Sequence, residues 1–183
     1  MNKRFETPSS PFTHCGASTQ RIMLDVILAL LPATVAAIVI FGTKALVPIL
    51  SCVIAAVVSE FLFNVITHRK QSIGDLSAVV TGLLLGLNLS TNVPVWQCVL
   101  GSVFAIVFVK CLFGGLGHNF ANPAITARVF LLVSFAEVAG GAMPKGVDLV
   151  TSATPLEVLA NGGEGLPSLL DMFLGVRGGA VGE

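Results

Sequence analysis

Two long apolar runs open the chain. The first, residues 22–41, is interrupted only by Asp25 near its start and is closed by Gly42. The second, residues 45–66, carries Glu60 near its far end and stops at His68-Arg69-Lys70. Each has the roughly 20 apolar residues that a helix needs to cross about 30 Å of hydrocarbon, and both are expected to span. From Leu76 to Val109 no residue is charged. That stretch is too long for one span, and Asn88-Leu89-Ser90-Thr91-Asn92-Val93-Pro94 within it is rich in turn formers. It predicts a short segment over 76–89 containing Gly82 and Gly86, then a full span over 95–113 with Lys110 near its end. Residues 114–123 form a glycine-rich break. The last apolar piece, 124–136, is interrupted by Arg128. Short, Gly-interrupted segments among full-length ones are the pattern of broken helices in secondary transporters. Such backbone survives at membrane depth only where protein or a wet cavity covers it.

The pattern predicts an all-α polytopic membrane protein with about five transmembrane helices or half-helices. Its organisation is an N-terminal segment (1–21), a transmembrane helical domain (22–137), a polar loop (138–167) and a short amphipathic piece with a Gly-rich tail (168–183). Composition agrees: 54% of the 183 residues are hydrophobic and 11% charged, against roughly 25% charged in ordinary soluble domains, and mean hydropathy is +0.90. A soluble enzyme and a disordered tail are excluded. Ten basic residues balance ten acidic ones, so no nucleic-acid partner is expected. Cys15, Cys52, Cys98 and Cys111 form no CxxC pair, which indicates neither a disulfide scaffold nor a zinc site.

Charges in the short flanks set the expected orientation. With the N-terminus in the cytoplasm, Lys3, Arg4, Arg21, Arg69, Lys70 and Lys110 lie inside and only Lys44 and Lys145 outside. The loop 137–167 then faces the outside. Arg21 and Asp25 stand at i,i+4 spacing and are expected to pair at the membrane edge. Val35-Ala36-Ala37 offers a signal-peptidase site, but the apolar run continues past it and a long polar stretch precedes it. The first helix is expected to stay.

Three places carry candidate chemistry. Asp148-Leu149-Val150-Thr151-Ser152-Ala153-Thr154-Pro155 combines small residues that admit a bulky group with a Thr154 hydroxyl able to accept a phosphoester bond. Pro155 fixes how that hydroxyl is presented, and Asp148 could position a metal or the attacking hydroxyl. The competing reading is a plain loop, or a helix N-cap at Thr154 with Pro155 at the first helical position. Around His118, residues 114–123 allow close backbone approach, and the half-helix after them would aim its N–H groups at an anion; a tight interhelical turn explains them equally well. Arg128 is an intramembrane charge whose candidate partners are a flavin or nucleotide phosphate, or Glu137; snorkelling to the interface is the alternative. Asp25 and Glu60 are explained by pairing or snorkelling, with an ion path as the functional alternative. Cys52, Cys98 and Cys111 read as small apolar fillers, and His14 and His68 as solvated.

Ser18-Thr19-Gln20-Arg21-Ile22-Met23-Leu24-Asp25-Val26, Gly114-Gly115-Leu116-Gly117-His118-Asn119, Asn122-Pro123-Ala124 and Thr151-Ser152-Ala153-Thr154-Pro155-Leu156 together resemble the D subunit of the Rnf-type ion-translocating electron-transport complex. The chain is similar also to the related B subunit of the sodium-pumping NADH:quinone oxidoreductase. The resemblance implies FMN bound covalently through a phosphoester to the last Thr of a Ser/Thr-Gly-Ala-Thr motif, which falls on Thr154; Ser152 stands where the motif has Gly. It implies a flavin transferase acting on the outer side, whose pattern begins at an Asp matching Asp148; a second, non-covalent riboflavin is left open by the sequence. It implies two inverted halves of about ten helices in all, of which this sequence corresponds to the first and is not expected to be active alone. The implied function is an electron relay between ferredoxin and NAD coupled to Na+ or H+ transport, in the plasma membrane of a prokaryote. Its partners would be other membrane and peripheral subunits, the transferase and membrane lipid. Thr151, Ser152, Ala153 and Arg128 complete the expected cofactor set. A cofactor-free solute channel of inverted-repeat type is the rival function, and a packing scaffold for partner subunits is a third.

Overall fold

The computed structural model describes residues 18–135 and 180–182. Among the described residues it is entirely helical. Helix α1 (Thr19–Phe41) starts at Ser18, whose side chain accepts from the Arg21 N–H, and ends at Gly42, in the left-handed region at φ 80°. A 3-10 turn (Gly42–Ala45) leads into α2 (Leu46–Ile66). At 1.5 Å per residue each helix is roughly 32–35 Å long, close to the hydrocarbon thickness. The break expected between the two apolar runs is therefore one 3-10 turn. Each carries a broad exposed apolar face, with Leu28, Val35 and Val39 on α1 and Leu50, Ile54 and Phe61 on α2. Such faces suit lipid rather than water.

A 3-10 turn (Ile73–Asp75) precedes the short helix α3 (Ser77–Asn88), matching the short segment expected there. Its 12 residues reach only about 18 Å, too short to cross a hydrocarbon layer of about 30 Å alone. It packs against both α1 and α2. Close approach to α2 is made possible by two glycines: a Cβ at Gly82 would lie 2.6 Å from the Val53 Cα, and one at Gly86 would lie 2.7 Å from the Ile49 Cα. The expected break follows, and then α4 (Val95–Val103). Instead of continuing as an α-helix, as expected over 95–113, the chain widens into a π-helix (Phe104–Cys111). The Leu112 N–H and Gly115 N–H both reach back five residues, to the carbonyls of Val107 and Lys110. After residues 112–122 comes the second short helix, α5 (Pro123–Ser134).

The main core lies between α2, α3, α4 and α5 and includes Cys52, Leu85, Leu89, Cys98, Ala127 and Leu131. A second cluster joins α1 to the end of α3 through Phe41, Ile49, Leu83 and Leu87, and Val181 plugs into it. Hydroxyls within the helices return to their own backbone: Thr34 to Leu30 O, Ser59 to Ala55 O, Thr81 to Ser77 O and Ser102 to Cys98 O. That is the expected behaviour where the surroundings offer no water. The expected pair Arg21–Asp25 does not form: both are exposed, and the ion pair among the described residues lies elsewhere. An exposed pair gains little over hydration.

Because the atoms crowding Gly82 are backbone, Gly82→Ala should cost about 1–3 kcal/mol through overpacking. Gly74→Ala, at a position with open space around it, should stay within about 0.5 kcal/mol. Thermal unfolding of the detergent-solubilised chain checks both; equal melting temperatures for the two variants would contradict the α2–α3 contact.

Candidate functional site

Cys52, Ala56, Glu60 and Asn64 recur every four residues along α2, and all four are buried. This stripe faces the protein, so Glu60 is carried inward with its apolar neighbours. Its carboxylate is fully buried at 0% exposure. Lys110, on the π-helix, is 2% exposed and places its ammonium 2.7 Å from Glu60 Oε1. The sequence places Lys110 near the end of its span; the structure turns its side chain into the protein. A long side chain near a span's end can turn inward when a carboxylate is there to receive it.

Hydroxyls extend the pair in both directions. Lys110 Nζ donates to Ser77 Oγ at 2.5 Å, and Ser77 Oγ donates to Asp75 Oδ1 at 2.5 Å. On the other side Ser72 Oγ donates to Glu60 Oε1 at 2.5 Å and accepts from Asn64 Nδ2 at 3.1 Å. Each serine thus accepts one hydrogen bond and donates one. The chain Asn64–Ser72–Glu60–Lys110–Ser77–Asp75 runs from the buried carboxylate to the half-buried Asp75, which also accepts from the Ser77 N–H at 2.8 Å. Glu60 Oε2 is buried without a partner. The group can hold a positive charge against Glu60 and can pass a proton along hydroxyls.

The other cation within an apolar segment is Arg128; of its expected partners, Glu137 lies outside the described residues. Its Nη1 donates to Asn88 O at 2.6 Å and to Asn88 Oδ1 at 2.8 Å. Arg128 therefore caps the C-terminal end of α3, where a cation also meets the negative end of the helix dipole. The neighbouring carbonyls are served as well, by Val181 N–H to Leu89 O (3.0 Å) and Gly182 N–H to Leu87 O (2.8 Å). Leu87, Asn88, Arg128, Ala180 and Gly182 line a cavity of about 280 Å³.

At the start of α5, Asn122 Oδ1 accepts from the N–H groups of Ala124 (3.0 Å) and Ile125 (3.4 Å), and Asn122 O from that of Thr126. Pro123 has no N–H to offer. The donors expected to face an anion are taken by the helix's own cap. The loop before it turns through Gly114, Gly115 and Gly117, at φ 111°, 95° and 87°. Asn119 Oδ1 is buried without a partner there, while His118 is exposed.

Cys52, Cys98 and Cys111 are free and buried, and no group of three metal-ligating side chains occurs among the described residues. Asp148, Thr151, Ser152, Ala153 and Thr154 lie outside the described residues, as do Cys15 and His14. Sequence reasoning missed Ser72, Ser77, Asp75 and Asn88. The available signal was the pairing of opposite charges at matching depth, Glu60 near the end of one span and Lys110 near the end of another.

Removing one member of the buried pair should be far worse than removing both. Lys110→Met alone should cost about 3–5 kcal/mol by stranding Glu60, whereas Glu60→Gln with Lys110→Met should recover much of that loss. A double-mutant cycle on thermal unfolding measures it; additive losses would contradict a direct pair.

Comparison with known proteins finds a family model and several relatives. The model of the "NQR2, RnfD, RnfE family" matches residues 6–183. The chain is 47% identical over 179 residues to the D subunit of the Na(+)-translocating ferredoxin:NAD(+) oxidoreductase complex of Acetobacterium woodii, covering 96% of this chain and 56% of that protein. It is 40% identical over 194 residues to the proton-translocating counterpart of Clostridium ljungdahlii, covering 98% and 58%. It is 45% identical over 135 residues to the D subunit of the ion-translocating oxidoreductase complex of Cronobacter sakazakii, covering 72% and 38%. The chain thus spans little more than half the length of the first two relatives.

Proposed function

The chain belongs to the NQR2, RnfD, RnfE family, and on that basis we propose that it is a membrane subunit of an ion-translocating oxidoreductase complex. In this reading it relays electrons between ferredoxin and NAD through FMN held covalently on Thr154. The observation that carries the reading is the sequence Asp148-Leu149-Val150-Thr151-Ser152-Ala153-Thr154 in a chain of this family. A solute channel has no use for such a loop.

Thr154 Oγ is the atom that would form the phosphoester, with Thr151, Ser152 and Ala153 leaving room for the flavin and Asp148 opening the pattern read by a flavin transferase. FMN supplies the redox chemistry when bound, while the protein supplies tether, orientation and electrostatics. Arg128 fits an anionic oxygen of the cofactor: its guanidinium borders the 280 Å³ cavity and its hydrogen-bond partners are the neutral oxygens of Asn88. With the N-terminus in the cytoplasm of a prokaryote, Thr154 faces the outer side, where the transferase works. A non-covalent riboflavin, other subunits and membrane lipid complete the proposed partners.

Support for the ion half of the function comes from Glu60 and Lys110. A carboxylate and an ammonium buried together, with hydroxyls leading outward, are costly to keep inside an apolar bundle. Intramembrane charges of this kind mark ion or proton routes. One relative is named for sodium and another for protons, and either ion is compatible with a carboxylate and hydroxyls.

Co-expression with a flavin transferase, followed by denaturing electrophoresis and in-gel fluorescence, tests the flavin assignment. A fluorescent band is expected for the native chain and none for Thr154→Ala. No fluorescence in either lane, with the transferase active on a control substrate, would return the chain to the solute-transport reading.

A further inference from the structure

At one end of the bundle the backbone turns sharply to place an arginine. After Ile66, the N–H of Arg69 reaches back to Asn64 O at 2.9 Å, and His68 takes a left-handed conformation at φ 52°, which is uncommon for a residue with a side chain. The reversal carries Arg69 across to the π-helix, where its Nη1 donates to Cys111 O at 2.9 Å. The face of the guanidinium rests 5.6 Å from the centre of the Phe63 ring. Arg69 is thus fixed on two sides, yet it stays exposed with donors to spare. Lys70 beside it is exposed too.

Across this contact, residues 112–120 present Leu112, Phe113, Leu116 and Phe120 to the outside. The Phe113 and Phe120 rings pack together at 4.8 Å between centroids, forming an exposed aromatic pair at the same end as Arg69. The carboxylates nearest this end are already engaged: Glu60 by Lys110, and Asp75 by Ser77. On α1, Arg21 and Asp25 are both exposed and cancel in charge. His68 and His118, also exposed, add no negative charge.

We propose that this end of the bundle is a binding site for an anionic phospholipid, with Arg69 and Lys70 taking the headgroup phosphate and Phe113 and Phe120 packing on the glycerol and upper acyl region. Continuity decides for lipid over a protein partner. The exposed apolar face of α2, through Phe61, Leu62, Val65 and Ile66, runs without a polar rim straight into Thr67–Lys70. A surface that faces hydrocarbon along its length and ends on two cations and two aromatic rings has the profile of a membrane interface. Basic residues beside an anionic leaflet attract its headgroups. The site does not depend on the flavin assignment.

The test uses the full chain in non-ionic detergent, with thermal unfolding followed in the presence of phosphatidylglycerol, phosphatidylcholine or inorganic phosphate. Phosphatidylglycerol should stabilise the native chain, phosphatidylcholine much less, and inorganic phosphate not at all, because the aromatic pair needs the acyl region. Apparent affinity for phosphatidylglycerol should fall about fivefold in Lys70→Gln and further in Arg69→Gln with Lys70→Gln. Because Arg69→Gln also gives up the Cys111 contact, each variant is compared with itself between lipids, and Lys70→Gln, exposed as Lys70 is, supplies a variant that should fold. Equal stabilisation by the two lipids, or an unchanged phosphatidylglycerol preference in Lys70→Gln and in the double variant, would overturn the proposal. Stabilisation by inorganic phosphate equal to that by phosphatidylglycerol would also overturn it, leaving a simple anion site.

Discussion

Hydrocarbon offers no hydrogen bonds, so a helix that stops partway through a bilayer must have its loose backbone groups satisfied by protein. That constraint organises this structure. Helix α3 ends at Asn88, well short of a full crossing, and its last carbonyls are met one by one. Asn88 O is met by Arg128, Leu87 O by Gly182 N–H, Leu89 O by Val181 N–H, and Leu84 O by the Asn88 side chain. Helix α5 begins under the same constraint and answers it with Asn122 and a proline that has no N–H. Two short helices are therefore held by side chains and backbone from elsewhere in the chain. Arg128 links them directly, since it sits on α5 and caps α3.

The interior charges follow from the same dielectric argument but act in the opposite sense. Arg128 neutralises a helix end, so its charge has a structural use. Glu60 and Lys110 neutralise only each other. A methionine and a glutamine of similar size would fill the space at less cost in desolvation. A fold that retains such a pair, with Ser77 linking it to Asp75 and Ser72 linking it to Asn64, is retaining something that packing does not require. That physical excess gives the ion-transport half of the proposed function its support within the described residues.

Much of this was legible in the chain. The positions of both long helices, the short α3, the turn at 88–94 and the late helix after the glycine loop follow from apolar run length and from Gly, Asn and Pro, because those signals are local. The π-helix was not legible: residues 104–111 continue the apolar run of α4, with no Gly or Pro to mark a change of helix type. The inward turn of Lys110 was not legible because hydropathy measures depth along a span and says nothing of which way a side chain turns. Arg128 was recognised as out of place, yet Asn88 could not be named as its partner, since the two are 40 residues apart and neither carries a sequence signal for the other. The Thr154 motif is the reverse case, legible as a motif and resting on residues outside the described structure.

The cationic end and the buried pair are also connected. The carbonyl that Arg69 holds belongs to Cys111, the residue directly after Lys110. Cys111 O also accepts from the Gly114 N–H at 3.3 Å, so this carbonyl is held by one backbone N–H and one guanidinium. A headgroup that draws on Arg69 would share the donor that steadies this terminus. Lys110 is one residue away, and its ammonium is committed to Glu60 and Ser77. One backbone carbonyl thus lies between the exposed Arg69 guanidinium and the residue that holds Glu60.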